Sequence, residues 1–417
     1  MNFLFINHHA NAPEYGNPYR TYFMAKALVR LGHKVIVVAS GYSHVRLKQP
    51  PKSSGITREV HEGITYLFLP AIGSGTSLLS RVTSIFGFVW SLARYRKAIE
   101  AEAKPVVVVE GTTYILPILI SSRIARAAGA KLIYEVRDLW PASPIEISGK
   151  SKYHPFFLLI GWVQKYALRH ADCVVSTLRF ADQYFAEEVV VPKMFAHIQN
   201  GVDADQYAAQ NTVEGDTFRT VTDIKARYAG VVGYTGGFGA ANAVQSLLGA
   251  AEELARHDIA VVLVGKGPRR AEFEAFVAAH GLSNVYIFDA VPKAEVIPIT
   301  KTFDLAFSGG VNRGVHHYGI SPNKVFDYMM SETPILMGYN TQDDFAERSG
   351  CGITVRHPTG ETVARAVLEF FNRSDEEKRQ MGQNGRKAVL EQYEYQILAQ
   401  ALLDVVAQMD VADAHLA

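Results

Sequence analysis

Short runs of aliphatic and β-branched residues alternate with stretches of helical periodicity along almost the whole chain, and few folds accept that pattern. "FLFIN" near the start leads into "NPYRTYFMAKALVRLG". Then come "KVIVVAS", "ITYLFLP", a helix from about Leu78, "PVVVVEG", another helix, "KLIYEV" and "DCVVST". Strands apolar at consecutive positions bury both faces, which a parallel sheet covered by helices on either side requires. The pattern restarts at "AGVVGYTG" and continues through "IAVVLVG", "NVYIFDA", "DLAFSG", "PILMG" and "GITV", with helices between. Two doubly wound α/β sheets are predicted. The boundary falls near residues 200–225, at the polar, turn-rich opening of "NTVEGDTFRTVTDIKARYAG".

A chain of 417 residues is too long for one ordinary core, so two domains agree with size as well as pattern. The 42 Lys and Arg nearly balance the 41 Asp and Glu, which argues against a nucleic-acid partner and leaves any anion site to local geometry. Cys173 and Cys351 sit in apolar segments and read as buried free thiols of a reducing compartment. "MNFLFINHH" has no basic leader and no small-residue cleavage site, so it reads as a first strand in a cytoplasmic protein. The most apolar stretches, 83–93 and 153–164, fall short of the ~20 residues a spanning helix needs.

Doubly wound sheets hold ligands at the carboxyl ends of their strands, and several loops there carry chemistry. The first, "NHHANAPEYGNPYR", contains His8, His9, Gly16 and Arg20, with Gly16 permitting close backbone approach to an anion or simply making a turn. "GYTGGFGAAN" places Gly233, Gly236, Gly237 and Gly239 around Phe238 before a helix, which suits a diphosphate or a tight turn equally. "VGKGPRR" offers Lys266 to phosphate, with Arg269 and Arg270 reading as solvated helix residues. "LIYEVRDLWPASP" sets Glu135, Arg137, Asp138 and Trp140 directly after a buried strand, either as a site or as an ion pair tying down a loop. "SPNKVFDYM" opens a helix on Ser321, Pro322, Asn323 and Lys324, with Asp327 following, as a cap or as a phosphate-binding start. The His8–His9 and His316–His317 pairs lack metal-site spacing, and no metal is predicted. Asp203 and Asp205 form a D-x-D tripeptide too short to be specific, and they are assigned to the interdomain connection.

Taken together, Gly16 and Arg20 with "LGHKV", "YEVRDLWP", "IQNGVD", "GYTGGFG", "VGKGP", "NVYIFDAVPKAEV" and "SPNKVFDYM" resemble the family 4 glycosyltransferases. The similarity is greatest to the branch building bacterial surface polysaccharides, including N-acetylfucosamine transferases of O-antigen synthesis. The resemblance implies a GT-B fold, two Rossmann-like doubly wound domains facing across a cleft. It assigns 1–203 to the acceptor, 204–390 to the nucleotide-sugar, and 391–417 to a helix returning to the N-terminal domain.

It further implies metal-independent, retaining transfer of a hexosyl or N-acetylhexosaminyl group, without a cofactor. The donor is a nucleotide-sugar, UDP-sugar favoured, and the acceptor a polyprenyl-diphosphate-linked glycan, with peripheral contact at the inner face of the plasma membrane. Without a metal, cations and amide dipoles must neutralise the leaving diphosphate.

Carried onto this sequence, donor contacts fall to Gly16, Gly237, Phe238, Lys266, Val291, Lys293, Ser321, Pro322, Asn323, Lys324 and Asp327. Asp327 is expected on the ribose hydroxyls, and Val291 and Lys293 near the base. Asp138, Arg137 and Lys324 are the expected catalytic residues, with His9, Arg20 and Trp140 on the acceptor.

Three departures stand out. Gly319 occupies the position of the first of two glutamates that many relatives carry, Arg137 replaces a histidine, and "GGFGAAN" lacks the usual cation, shifting phosphate work to Lys324 and Arg313. Aromatic and basic residues mix in 81–97 and 151–170, which suits an interfacial helix as well as buried packing. A nucleotide-sugar 2-epimerase of similar shape and a non-catalytic sugar-nucleotide binding partner are the competing functions.

Overall fold

The computed structural model describes every residue except 17–19, 45, 74, 76–77, 211–214, 312 and 417. Part of the first loop and the start of the expected linker therefore lie outside the described residues. The chain divides into two compact units, Met1–Gln199 with Tyr395–Ala417, and Asn200–Glu394.

The first unit begins β1 (Asn2–Ile6), α1 (Arg20–Arg30), β2 (Lys34–Ser40), β3 (Thr57–His61), β4 (Ile64–Leu69) and α2 (Leu78–Ala103). It continues β5 (Val107–Glu110), α3 (Ile118–Ala128), β6 (Lys131–Val136), α4 (Ala142–Ser148), α5 (Pro155–His170), β7 (Cys173–Ser176), α6 (Ala181–Glu188) and β8 (Phe195–His197). The sheet order is β3-β4-β2-β1-β5-β6-β7-β8. All pairings are parallel except β3 with β4, an edge hairpin absent from the sequence reading. Its two-residue turn puts Glu62 (φ 49°) and Gly63 (φ 81°) both in the left-handed region, the geometry that matches strand twist.

The chain runs from β1 to β2 in one direction and returns to β5 on the other side of β1. Right-handed crossovers therefore place α1 on one face of the sheet and α2, α3 and α5 on the opposite face. The C-terminal α16 (Tyr395–Leu416) packs against α1, with Tyr395 stacked on Phe23 at 5.1 Å. Together they bury Phe3, Phe5, Val35, Val37, Val107 and Val109 from that side.

The second unit opens with α7 (Ala204–Gln210), α8 (Asp216–Arg227), β9 (Gly230–Gly237), α9 (Val244–Ala255), β10 (Ile259–Lys266), α10 (Arg270–Ala279), β11 (Val285–Phe288) and α11 (Lys293–Lys301). After β12 (Leu305–Gly309) come α12 (Asn323–Met330), β13 (Ile335–Gly338), α13 (Phe345–Arg348), β14 (Gly352–Thr354), α14 (Gly360–Phe371) and α15 (Asp375–Gln392). Its strands follow the order β11-β10-β9-β12-β13-β14, all parallel. One core layer, with Val325, Tyr328 and Val389, lies under α12 and α15; another, with Leu247 and Val367, lies under α9 and α14. Strand order reverses at β1/β5 in one unit and at β9/β12 in the other, the switch points where such sheets bind ligands.

Both cysteines are buried free thiols. Among the described residues no helix is long and apolar enough to cross a membrane. Among those same residues, every exposed large hydrophobic side chain belongs to the first unit; the second has none.

Candidate active site

In the second unit the site is built around Lys324. It is the second residue of α12, whose N-cap Pro322 supplies no side-chain acceptor; Val325 N donates to the Pro322 carbonyl at 3.1 Å, while the amides of Asn323 and Lys324 have no capping side chain among the described residues. Ser321, expected as part of the helix start, is instead tied back: the Asn200 amide donates to its Oγ at 3.3 Å and Asn200 Nδ2 to its carbonyl at 2.9 Å.

Lys324 Nζ donates to the Tyr234 hydroxyl at 2.9 Å and to Asn242 Oδ1 at 3.0 Å, and lies 4.3 Å from the centre of the Tyr234 ring. Tyr234 and Asn242 in turn donate to the Gly237 carbonyl at 2.8 and 2.9 Å. A β-carbon on Gly236 would meet Lys324 Cε at 3.2 Å, and its φ of 146° independently demands glycine. No carboxylate pairs with the ammonium among the described residues, and burial lowers its pKa to about 7. A desolvated, unpaired cation beside orphan helix amides is what an anion site requires.

Val311, beyond β12, donates to the Ala241 carbonyl at 3.3 Å, closing the two loops of the β9/β12 switch onto each other. Arg313 lies in the same loop and, after burial itself, is the main cause holding His316 down to about 4.

Asp327, one turn after Lys324, is not an open acceptor. Its carboxylate takes Lys293 Nζ at 2.6 and 2.5 Å and also accepts from the Tyr207 hydroxyl, with Lys293 lying 5.8 Å from the Tyr207 ring centre. Lys293, expected near the base, thus joins α11 to α12, and Tyr207 on α7 completes the contact. Val291 is half-buried against the same core layer. Phe238, expected on the donor, has its side chain fully buried between Tyr234 and Phe273, and its amide and carbonyl serve Lys266 O (2.8 Å) and Arg269 N (3.1 Å). Lys266 is exposed at the end of β10, beside Gly237 on β9. Arg269 and Arg270 pair with Glu272, Glu274 and Asp289, as solvated helix residues do. Asp203 accepts from the Gln206 amide at 3.4 Å at the start of α7.

In the first unit the switch-point strands end on His8 and His9 after β1 and on Glu110 to Thr112 at β5. His8 is buried, bonded to the Tyr114 hydroxyl and to Ser84 Oγ at 3.3 Å, so it is a framework residue. His9 stacks on it at 4.2 Å, with its Nδ1 2.8 Å from Ser43 Oγ.

Arg20 is buried rather than presented to a ligand: Nε meets Glu135 Oε2 at 3.1 Å and Nη1 donates to Gln199 O at 2.5 Å. Arg137 reaches Glu135 Oε1 at 3.6 Å and the Gly111 carbonyl at 2.5 Å; the neighbouring Asp138 keeps surface open to solvent, yet the protein packed around its carboxyl raises its pKa, with Arg137 opposing. Trp140 rests edge-on against Phe156 of α5 at 6.4 Å. Gly16 has a φ of 129°, and an added β-carbon would meet Leu47 at 3.1 Å, which accounts for the glycine without a ligand. Tyr234, Asn242 and Tyr207 went unnoticed in sequence because each acts through a fold contact far along the chain.

Among the described residues no group of three or more metal-ligating side chains occurs.

Two doubly wound units, parallel but for the β3–β4 edge hairpin and with their polar residues at the switch points, match a GT-B architecture, and solved structures agree. Sucrose-phosphate synthase from Thermosynechococcus elongatus matches with a TM-score of 0.71 at 15% identity, covering 98% of this chain and 99% of that one. Anabaena HepE in complex with UDP matches with a TM-score of 0.68 at 12% identity over 98% and 100% of the two chains. WaaG, a glycosyltransferase of lipopolysaccharide biosynthesis, gives 0.65 at 14% identity over 96% and 98%. No curated protein sequence matches the chain. Residues 18–201 match the glycosyl transferase 4-like domain and residues 245–404 the glycosyl transferase-like family. The chain belongs to the glycosyltransferases of GT-B fold, with a family 4-like N-terminal part.

Proposed function

We propose that this protein transfers a sugar, with retention and without a metal, from a nucleotide diphosphate donor to a lipid-linked glycan acceptor. The observation that carries the donor assignment is Lys324, unpaired and held by Tyr234 and Asn242 at the uncapped start of α12 beside Gly236. These groups stabilise the charge on the leaving diphosphate by preorganised cation and dipole, the largest contribution open to an enzyme that positions both substrates itself. UDP is the favoured nucleotide, in keeping with HepE, which has been solved with UDP and with UDP-glucose.

Asp138 orients the acceptor hydroxyl, with Arg137 fixing the loop through Gly111 and Glu135. Lys266 and Asn323 border the donor, while Asp327 and Lys293 act by holding α12 in place. Restriction of exposed large hydrophobics to the first unit supports a lipid-bearing acceptor met at a membrane surface. They include Val82, Phe86 and Trp90 on α2, and Leu158, Leu159 and Trp162 on α5.

A thermal-shift panel of UDP, GDP, ADP and dTDP tests the donor, since the bound nucleotide raises stability by mass action. Incubation of the matching nucleotide-sugar with membrane-derived lipid acceptor then reports transfer and the anomeric configuration of the product. Free epimer released from donor alone, or binding without turnover, would refute the transferase reading.

A further inference from the structure

We propose that the carboxyl ends of β1 and β2 form a second anion site, made by His9, His44 and Arg81 with Arg46 behind them, which holds a phosphate or diphosphate ester on the acceptor. The proposal rests on the transferase reading for the word acceptor, but the site itself stands on the first unit alone.

His9 lies between two other imidazoles. Its ring stacks on His8 and meets His44 edge-on at 5.2 Å and 86°. Ser43 occupies Nδ1, and Nε2 has no hydrogen-bond partner among the described residues. Arg46 is buried beneath them, giving Nη1 to Ser40 O at 2.7 Å and Nη2 to Ala10 O at 2.5 Å, over the Phe68 ring at 5.1 Å. Its Nε is buried without a partner, and among the described residues it forms no ion pair, Glu59 acting on it only at longer range. Arg81, exposed in the first turns of α2, is the charge that acts on His44.

Buried cations are ordinarily paired or hydrogen-bonded to acids. Here burial, the neighbouring imidazoles and the arginines all lower the pKa of His8 and His9, burial and Arg81 lower that of His44, and among the described residues no carboxylate acts on any of the three. The result is neutral imidazole donors in a positive field, which suits phosphate oxygens.

The placement specifies what kind of molecule the site would serve. Along the sheet edge the order β2-β1-β5-β6 sets His44, His9, Thr112 and Asp138 in sequence. Three strand spacings separate the ends, roughly 14 Å. A hydroxyl oriented at Asp138 and a phosphate held at His44 and Arg81 then belong to one short phosphate-linked glycan. From Arg81 the exposed Val82, Phe86 and Trp90 follow at helical spacing along α2, an apolar track leading away from the phosphate.

The test is calorimetric titration of inorganic diphosphate and of farnesyl diphosphate into protein carrying Lys324→Met, which silences the donor site. Both probes are expected to bind, and adding His44→Ala with Arg81→Ala should weaken both by about tenfold or more. Both residues are exposed, so the fold is kept, and with Lys324 restored UDP affinity should be unchanged. Tighter binding of the farnesyl ester assigns the site to a lipid phosphate, and equal binding assigns it to a soluble phosphorylated glycan. Absence of binding by either probe, or unchanged binding after the double substitution, overturns the proposal. Failure of sugar transfer with diphosphate binding intact would instead refute the transferase reading and leave the anion site standing.

Discussion

Asp327 and Lys293 meet through both carboxylate oxygens, at 2.6 and 2.5 Å, so the acid one turn into α12 is spent on a bridge to α11. The two residues lie 34 positions apart in the chain, and the cost of breaking their contact falls on whichever partner is left. Asp327 is the more buried of the two, with its side chain 11% exposed against 32% for Lys293. Removing Lys293 alone therefore strands the costlier charge.

A double-mutant cycle of Lys293→Met and Asp327→Asn is expected to give a coupling of about 1–3 kcal/mol in urea unfolding, reduced from a fully buried value by solvent at Lys293. Additive effects of the two substitutions would place the bridge outside the stability of α12.

Gly319 stands where the family resemblance expects a glutamate, and its φ of 122° with ψ of 164° explains why no side chain sits there. Only glycine adopts that region at little cost. Gly319→Glu is expected to lower stability by about 1–3 kcal/mol and to add nothing to turnover. A gain in kcat with unchanged melting temperature would show that the loop accepts the side chain and that its catalytic contribution is merely missing.

Glu110 is fully buried at the first unit's switch point, accepting from the Thr112 amide at 2.9 Å and from Ser121 Oγ at 2.8 Å. Burial raises its pKa from 4.5 to about 7 despite those bonds. A carboxyl raised on folding stabilises fully below its unfolded pKa, and that contribution is lost as pH climbs through about 7. Glu110→Gln is thus expected to gain about 1–3 kcal/mol over wild type at pH near 8.5 and little near pH 5. Melting curves across that range check it, and a pH-independent difference would contradict the assignment.

Lys324 runs the opposite way: burial lowers its pKa to about 7, so above that pH the free ammonium gives up its proton. A bound diphosphate favours the charged form, so binding then requires proton uptake. UDP-glucose affinity should fall as pH rises from about 7 to 9, by up to about tenfold per unit. The diphosphate diester does not titrate in this range, and a flat profile would remove Lys324 from contact with it.

Much of this was legible before any coordinates. Consecutive Val and Ile in "PVVVVEG" and "IAVVLVG" can only be strands covered on both faces, which fixes the two sheets. Glycines in "GYTGGFG" mark the loop at Gly236, and "SPNK" marks the start of α12. The edge strand Thr57–His61 was not legible, because "TREVH" carries polar residues and lies on an antiparallel pairing with alternating exposure. Partners of long sequence separation were hidden too: Tyr207 reaches Asp327 and Tyr234 reaches Lys324 only once α7, β9 and α12 are packed. The burial of the Phe238 side chain was not legible either, because only the packed turn brings it between Tyr234 and Phe273.

The most direct test is calorimetric titration of UDP-glucose into wild-type protein and Lys324→Met at pH near 6.5, with melting temperatures recorded without ligand. Loss of a charge-assisted contact to the diphosphate should weaken binding by about 2–3 kcal/mol, some thirty- to hundredfold or more. The unliganded melting temperature should stay level or rise, since an unpaired, desolvated cation has been removed. Equal affinity in the two proteins would contradict the central claim that Lys324 at the start of α12 grips the donor diphosphate.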